Sequence, residues 1–226
     1  MKQIFSVSTS VPLIILAVAW AITCEAKEPA HFIPANASKA GNIPYPASSL
    51  DAGVVTLSVD LDNTGQITGV GILRDISAVS GPAAAAVRSW TYVPATLDGK
   101  PVASTLTVNI VYDPGFLGED NIPLPPPSQI QPITTKDPAF FPAQLNTATF
   151  APYPAKAQGS VVLNVTLDTK GNAVKVAPLR DIPPLTASAT GALKNWNFSA
   201  ATYEVIPIQC HTVVVFVFRS PSAQLP

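Results

Sequence analysis

Few side chains in this sequence could do covalent or metal chemistry. It has two histidines and two cysteines among 226 residues, and only Cys210 and His211 place a thiol beside an imidazole. Neighbouring residues of a β-strand point to opposite faces, so this pair cannot form a nucleophile and base on the strand that the surrounding valines predict. No cluster of acids lies at metal-ligand spacing. We therefore expect a protein that is not an enzyme and that holds no metal or cofactor.

Charge is sparse and evenly mixed. Lys and Arg number 13, Asp and Glu number 14, and charged residues make up 12% of the chain. Neutralising a polyphosphate needs clustered cations, which are scattered here, so nucleic acid is not an expected partner. Hydrophobic residues make up 47% of the sequence, which is typical of a chain that folds around a core.

The N-terminus has the pattern of a secretory signal. Lys2 precedes an apolar run from Val11 to Ile22, which is followed by small residues. The run is shorter than the roughly 20 apolar residues of a membrane span. Residues 1–26 are therefore predicted to be a signal peptide, or an N-terminal anchor if they are retained. Membrane contact is expected only through an uncleaved segment 4–23 or through a lipidated Cys24.

A repeat divides the rest of the chain into two similar units. Pro44-Tyr45-Pro46 recurs as Pro152-Tyr153-Pro154, and from Gly53 onward an offset of 106 residues aligns the copies. Pairs at that offset include Val55 with Val161, Leu57 with Leu163, Arg74 with Arg180, Asp75 with Asp181, and Trp90 with Trp196. We predict one domain over residues 41–113 and a second over 151–220, joined by a proline-rich linker over 114–150.

Each unit has the pattern of two strands, a helix and a third strand. Apolar and polar residues alternate from Val55 to Leu61, and Asp62 to Gly65 has the chemistry of a hairpin turn. A cap at Ser80 and a first-turn proline then precede one apolar helix face, formed by Ala83, Ala86, Val87 and Trp90. The predicted fold is α+β, with two tandem two-layer domains, each a three-stranded antiparallel sheet (β-β-α-β) packed by one helix.

The last strand of the second unit is apolar on both faces. Residues 213–218 are all valine or phenylalanine, so neither face of this strand is polar and both faces must be covered. The first domain, a second chain, a bound segment or deeper burial within the same chain would each supply that cover. Pro178 marks the second strand of this unit as an edge or a bulge. The repeated Arg-Asp pairs, Arg74-Asp75 and Arg180-Asp181, are interpreted as capping the second strand and entering the helix turn, with a binding hot spot as the alternative.

This order of landmarks resembles the C-terminal domain of TonB energy transducers. In the first unit the resemblance rests on Tyr45-Pro46, Gly53-Val54-Val55, Asp62 with Gly65, Trp90-Thr91-Tyr92, Pro94-Ala95, Asp98-Gly99-Lys100-Pro101 and Leu106 to Tyr112. The second unit keeps Tyr153-Pro154, Gly159, Asp168, Gly171 and Trp196-Asn197-Phe198, but it lacks the Pro-Ala and Asp-Gly-x-Pro motifs. It is similar to a diverged second module.

The resemblance implies a non-enzymatic periplasmic protein linked to TonB-dependent transmembrane transport. Family members bind an extended N-terminal segment of an outer-membrane transporter as a strand beside their final strand, near the Tyr-Pro region. Main-chain hydrogen bonds supply most of the affinity in this mode. Carried over, the expected partner-binding residues are Tyr45, Pro46, Leu106, Val108, Ile110 and Tyr112 in the first unit and Tyr153, Pro154, Val213, Val215 and Val217 in the second.

Two other functions stay open. An inner-membrane-anchored energy transducer would retain residues 4–23. The roughly 20 residues between that anchor and Pro44 span at most about 70 Å, which is a short reach toward the outer membrane. A structural or homodimerisation module, with the units packed on each other or on a second copy, would bind no peptide. The peptide-binding hypothesis fails if both sheet edges are fully occupied from within the monomer, or if the two units do not superimpose.

Overall fold

A computed structural model describes residues 31–114, 120–124, 139–154 and 157–219 of the protein. The predicted signal peptide or anchor, Cys24 and the linker prolines between residues 125 and 138 lie outside the described residues. Within the described ranges, no helix is both long enough and apolar enough to cross a membrane.

The two units have the same order of strands and α-helices, and the second has an additional 3-10 helix at Leu193–Asn195. The first contains β1 (Phe32–Ile33), β2 (Asn36–Lys39), β3 (Gly53–Leu61), β4 (Ile67–Arg74), α1 (Ser77–Val87), β5 (Thr91–Val93), β6 (Ala95–Leu97), β7 (Lys100–Val102) and β8 (Ser104–Asp113). The second contains β9 (Phe140–Phe141), β10 (Leu145–Thr147), β11 (Gly159–Leu167), β12 (Ala173–Arg180), α2 (Pro183–Ala192), β13 (Asn197–Phe198), β14 (Ala201–Tyr203), β15 (Ile206–Ile208) and β16 (Cys210–Phe218). The α+β class is confirmed, and each unit has the predicted β-β-α-β order of long elements.

One six-stranded sheet runs through both units, in the order β12-β11-β16-β8-β3-β4. Its neighbours are antiparallel except for β16 and β8, which run parallel from Val213 opposite Val108 to Phe218 opposite Asp113. The expectation of two separate three-stranded sheets is therefore corrected. Both final strands lie inside this sheet. β8 is buried throughout, although one of its faces carries Thr107 and Asn109, and β16 is buried except at His211.

The parallel pairing places the two helices on opposite faces of the sheet. The Tyr112 hydroxyl donates to the Val79 carbonyl of α1 at 3.4 Å. Tyr112 lies opposite Val217 in the sheet, so its side chain and that of Phe216 point to opposite faces. The Phe216 ring lies 5.4 Å from the ring of Trp196, just after α2. Each helix therefore covers one face of its own half of the sheet.

The other face of each half is covered by a segment from the opposite unit. We call residues 32–43 the first arm and residues 140–151 the second arm. In the second arm, Leu145 accepts a hydrogen bond from Arg74 of the first unit. In the first arm, the Ile43 amide donates to the Ser160 hydroxyl of the second unit at 3.0 Å. This exchange of arms buries both faces of the central strands within one chain.

The arms also correct the predicted domain boundaries. β9 and β10 lie within residues 114–150, which were predicted to be linker. The repeat begins earlier than the Tyr-Pro motif, because Phe32-Ile33-Pro34-Ala35 is matched by Phe140-Phe141-Pro142-Ala143 at an offset of 108. The second arm pairs with its own unit through β10 and β13, as the first arm does through β2 and β5.

The start of the first helix differs from the prediction by one turn. α1 begins at Ser77, and Ser80, the predicted cap, lies inside it. The Ser80 hydroxyl accepts a hydrogen bond from the Ile76 amide at 2.8 Å and donates to the Ile76 carbonyl at 3.1 Å. Ser80 therefore satisfies backbone groups at the helix start from within the first turn, and Pro82 falls in the helix interior.

The two units differ in one hairpin turn. Between β6 and β7 the turn residues Asp98 and Gly99 have φ angles of 49° and 78°. Between β14 and β15 the same turn is made by Glu204 and Val205, with φ angles of 49° and 65°. A β-branched residue is strained in this left-handed region, whereas glycine is not. Val205 is 86% exposed, so burial does not offset that strain.

We expect Val205→Gly to raise the free energy of unfolding by about 0.5–1 kcal/mol, because relief of the left-handed strain exceeds the extra entropy of an unfolded glycine. Urea unfolding followed by tryptophan fluorescence measures this difference. The matched variant Gly99→Val should lower the same free energy. A destabilised Val205→Gly protein would show that the turn is not strained.

Candidate functional site

The predicted binding strands do not have free edges over most of their length. From Val108 to Tyr112, β8 pairs with β3 on one side and with β16 on the other, and Leu106 pairs with β3 alone. β16 in turn pairs with β11 along its whole length. The expectation that these strands present open edges is therefore wrong for the folded monomer. Each final strand occupies the position beside its twin where an added strand was expected.

The side chains predicted to contact a partner on these strands belong to the core. Their exposed fractions do not exceed 2% for the set Leu106, Val108, Ile110, Tyr112, Val213, Val215 and Val217. Burial of such apolar surface stabilises the sheet and leaves no contact surface for a second molecule. These residues hold the two units together in this structure.

Tyr45 packs the start of the first unit onto the end of β8. Its ring lies edge-on to the Tyr112 ring at 5.2 Å, and its hydroxyl donates to the Asp51 carbonyl at 2.5 Å. The Arg219 guanidinium lies 5.6 Å from the centre of the Tyr45 ring. Burial raises the pKa of Tyr45 to about 12, although the nearby Arg219 opposes that rise. Pro46, the next residue, is half-buried.

Tyr153 has the equivalent position in the second unit. Its ring lies 6.2 Å from the Phe218 ring, and its hydroxyl donates to the Ala157 carbonyl. Tyr153 and Pro154 are both half-buried. The structure thus supports a packing role for both Tyr-Pro motifs, and a contact with a partner stays a prediction.

An open cavity of about 420 Å³ lies where the two units meet, at the C-terminal end of β16. It brings Tyr45 and Asn42 of the first unit next to Gln158 and Phe218 of the second. The Arg219 side chain at its wall donates to the Ala47 carbonyl at 2.9 Å and to the Ser49 carbonyl. The polar groups here tie the first unit to the end of β16.

The outer edges of the sheet are β4 and β12, each with one neighbouring strand among the described residues. They are not equivalent. β12 carries Lys175 and, opposite Leu163, Pro178, both exposed. β4 has no lysine or proline. At the position equivalent to Pro178, opposite Leu57, it has Ile72, which is 37% exposed. Lysine and proline protect edge strands from pairing, so β12 is protected and β4 is open.

The sequence prediction did not single out β4 as an edge strand. Pro178 marks β12 as an edge, and its counterpart at the offset of 106, Ile72, is not a proline. This difference between the two units is the sequence signal for the open edge.

Cys210 and His211 lie on opposite faces of β16. Cys210 is 1% exposed, and burial raises the pKa of its thiol to about 11. The Nδ1 atom of His211 lies 3.4 Å from the Thr166 hydroxyl, and burial lowers its pKa. These two side chains do not form a dyad. Among the described residues, no group of three His, Cys, Asp or Glu side chains could hold a metal ion.

Comparison with known proteins identifies a relationship for the first unit. Residues 43–114 match the family model described as the C-terminal of the Gram-negative bacterial TonB protein. This segment is TonB C-terminal-like. The match covers β3, β4, α1 and β8 and does not extend to the second unit. No curated protein and no solved structure matches the chain significantly.

The family match agrees with the resemblance found in the motifs of the first unit. TonB C-terminal domains form a transport-associated, non-enzymatic family of the Gram-negative periplasm, and they suggest a TonB-like role linked to transporter energy transduction. The matched segment spans about a third of the chain. It contains the open edge strand β4 and the Tyr-Pro motif.

The environment of Tyr45 predicts a loss of stability at high pH. Its pKa is raised from the ordinary 10.0 to about 12, so the folded protein keeps the tyrosine proton to higher pH than the unfolded chain does. The stabilisation is complete below pH 10 and is lost as the pH rises through the folded pKa. Tyr45→Phe should make the fall in the free energy of unfolding between pH 10 and 12 shallower. An unchanged pH profile in the variant would contradict this environment for Tyr45.

Proposed function

We propose that this protein is an exported, periplasmic, TonB-like protein without enzymatic activity, and that it binds extended peptide segments by strand addition at β4. The observation that carries the proposal is the open edge of β4, a strand of the TonB C-terminal-like segment. The expected partners are N-terminal segments of outer-membrane transporters, which would connect the protein with TonB-dependent transport.

The chemistry of β4 suits an extended peptide. A strand with one neighbour leaves alternate backbone N–H and C=O groups along its outer edge without a partner strand. β4 has eight residues, Ile67–Arg74, so a segment of similar length could pair along it. Its exposed side chains, Thr68 and Ile72, are uncharged. Main-chain pairing needs no catalytic group and makes little demand on the sequence of the partner.

The protected edge β12 supports a division of roles between the units. Pro178 has no backbone N–H to donate, and Lys175 places a charge beside any approaching strand. The second unit therefore completes the sheet and the core, whereas the first unit provides the edge for recognition. This asymmetry supports a single peptide site for each chain.

Export and the periplasmic location rest on the pattern of residues 1–26 and on the family of the first unit. If residues 4–23 are retained, the protein is the inner-membrane-anchored energy transducer instead. N-terminal sequencing of the mature protein, combined with membrane fractionation, distinguishes these two forms.

A structural function is the second candidate, and the pairing of β8 with β16 favours it. The strand-addition chemistry expected of the final strands is already used within the chain. Both faces of β16 are also covered from within the chain, so it needs no second copy as cover. In this function the two units form a stable scaffold that binds no transporter segment.

Exchange of Ile72 and Pro178 tests the proposal, because the two residues occupy the same register in equivalent strands. Titration calorimetry with synthetic N-terminal segments of outer-membrane transporters should detect binding to the natural protein. Ile72→Pro should weaken that binding roughly tenfold or more, since it removes an edge donor and places a ring at the edge. Pro178→Ile, the matched control, should leave the binding to β4 unchanged.

The fold of Ile72→Pro is checked by thermal unfolding, and the twin strand shows that a proline fits this backbone register. Absence of heat with every segment tested would favour the structural function. Binding that Ile72→Pro leaves intact would place the peptide site elsewhere.

A further inference from the structure

A buried arginine without a carboxylate partner lies under the second arm. Arg74 is 5% exposed, and its guanidinium donates to the Thr56 hydroxyl at 3.0 Å and to the Leu145 carbonyl at 2.5 Å. Its Nε atom is buried without a hydrogen-bond partner. No carboxylate contacts this guanidinium within the described ranges. Asp75, the next residue in the sequence, is exposed. A buried charge in this state is unfavourable unless an opposite charge accompanies it.

A small cavity lies beside this guanidinium. It has a volume of about 10 Å³, and its wall includes Arg74, Thr56, Thr107, Asn109 and Gln144. That volume excludes polyatomic anions such as sulfate or a peptide carboxylate. The wall is mainly apolar, with Leu73, Ala143 and Leu145, and it contains one positive charge and no carboxylate.

The second unit shows that the fold does not require these polar residues. At the offset of 106, Thr56, Thr107 and Asn109 are replaced by Val162, Val213 and Val215, all fully buried. The equivalent arginine, Arg180, is only partly buried, and its Nε donates to the Ser160 carbonyl at 2.9 Å. Two copies of one scaffold therefore differ in the polar residues around this arginine and in how deeply the arginine is buried.

The polar groups of the first unit are connected. Thr56 donates to the Asn109 side-chain oxygen at 3.0 Å, and the Asn109 amide donates to the Thr212 hydroxyl at 3.3 Å. Thr107 donates to the Ala143 carbonyl of the second arm at 3.3 Å. These bonds fix the cavity wall and connect it to both units, but none of them supplies a negative charge.

We propose that the cavity beside Arg74 binds a small monatomic anion such as chloride. The anion would accept a hydrogen bond from Arg74 and compensate its charge beneath the second arm. It would also stabilise the contact between Arg74 and Leu145, which fastens the second arm to the first unit. The site is separate from peptide binding, so it stands or falls independently of the proposed function.

Thermal unfolding of the full chain tests this site at constant ionic strength, with sodium gluconate replaced stepwise by sodium chloride. A ligand that binds only the folded state raises the unfolding midpoint, by roughly 3–6 °C at ten times its Kd for a chain of this size. The rise should disappear in Arg74→Met. Arg180→Met, the matched control on the equivalent arginine, should retain it.

Thr107→Val provides a second variant in case Arg74→Met does not fold, because it copies Val213 of the second unit and keeps the arginine. It should reduce the chloride-dependent rise. Crystals grown in sodium bromide should show one anomalous peak in contact with Arg74. The proposal is overturned if chloride and gluconate give the same midpoint, if all variants respond equally, or if the cavity holds no anomalous scatterer.

Discussion

The structure depends on the parallel pairing of β8 with β16. Both strands are buried on both faces, a state that a single two-layer unit cannot provide because one helix covers one face only. Pairing the two units along these strands extends the sheet to six strands and places the helices on opposite faces. Each remaining face is then covered by the arm of the other unit. The arrangement of helices and arms follows from this one contact.

The same pairing determines where the protein can interact. Because the final strands pair with each other from Val108 and Val213 onward, the outermost strands of the sheet among the described residues are β4 and β12. β4 and β12 occupy equivalent positions in the two units, but β4 has Ile72 where β12 has Pro178. The buried polar groups also differ, since Thr56, Thr107 and Asn109 beside Arg74 are replaced by valines in the second unit, where the equivalent Arg180 is only partly buried.

The elements of each unit could be predicted from sequence because their patterns are local. Alternation from Val55 to Leu61 identifies a strand, and the repeat confirms it at an independent position. The partner of β16 could not be predicted, because an apolar strand does not indicate which surface covers it. The arms could not be predicted from their pattern, because their strands are only two to four residues long. The offset between the repeats also changes from 108 in the arms to 106 from β3 onward. The sequence indicates only a strand cap for Arg74. Its burial could not be predicted, because that burial depends on the second arm.

Nuclear Overhauser contacts between backbone amides of β8 and β16 in the isotope-labelled full chain test the central claim most directly. The account predicts contacts in parallel register, from Val108 with Val213 to Tyr112 with Val217, together with slow amide exchange in both strands. Absence of these contacts, with rapid exchange along the outer side of β8, would contradict the account. The final strands would then have free edges in the folded monomer.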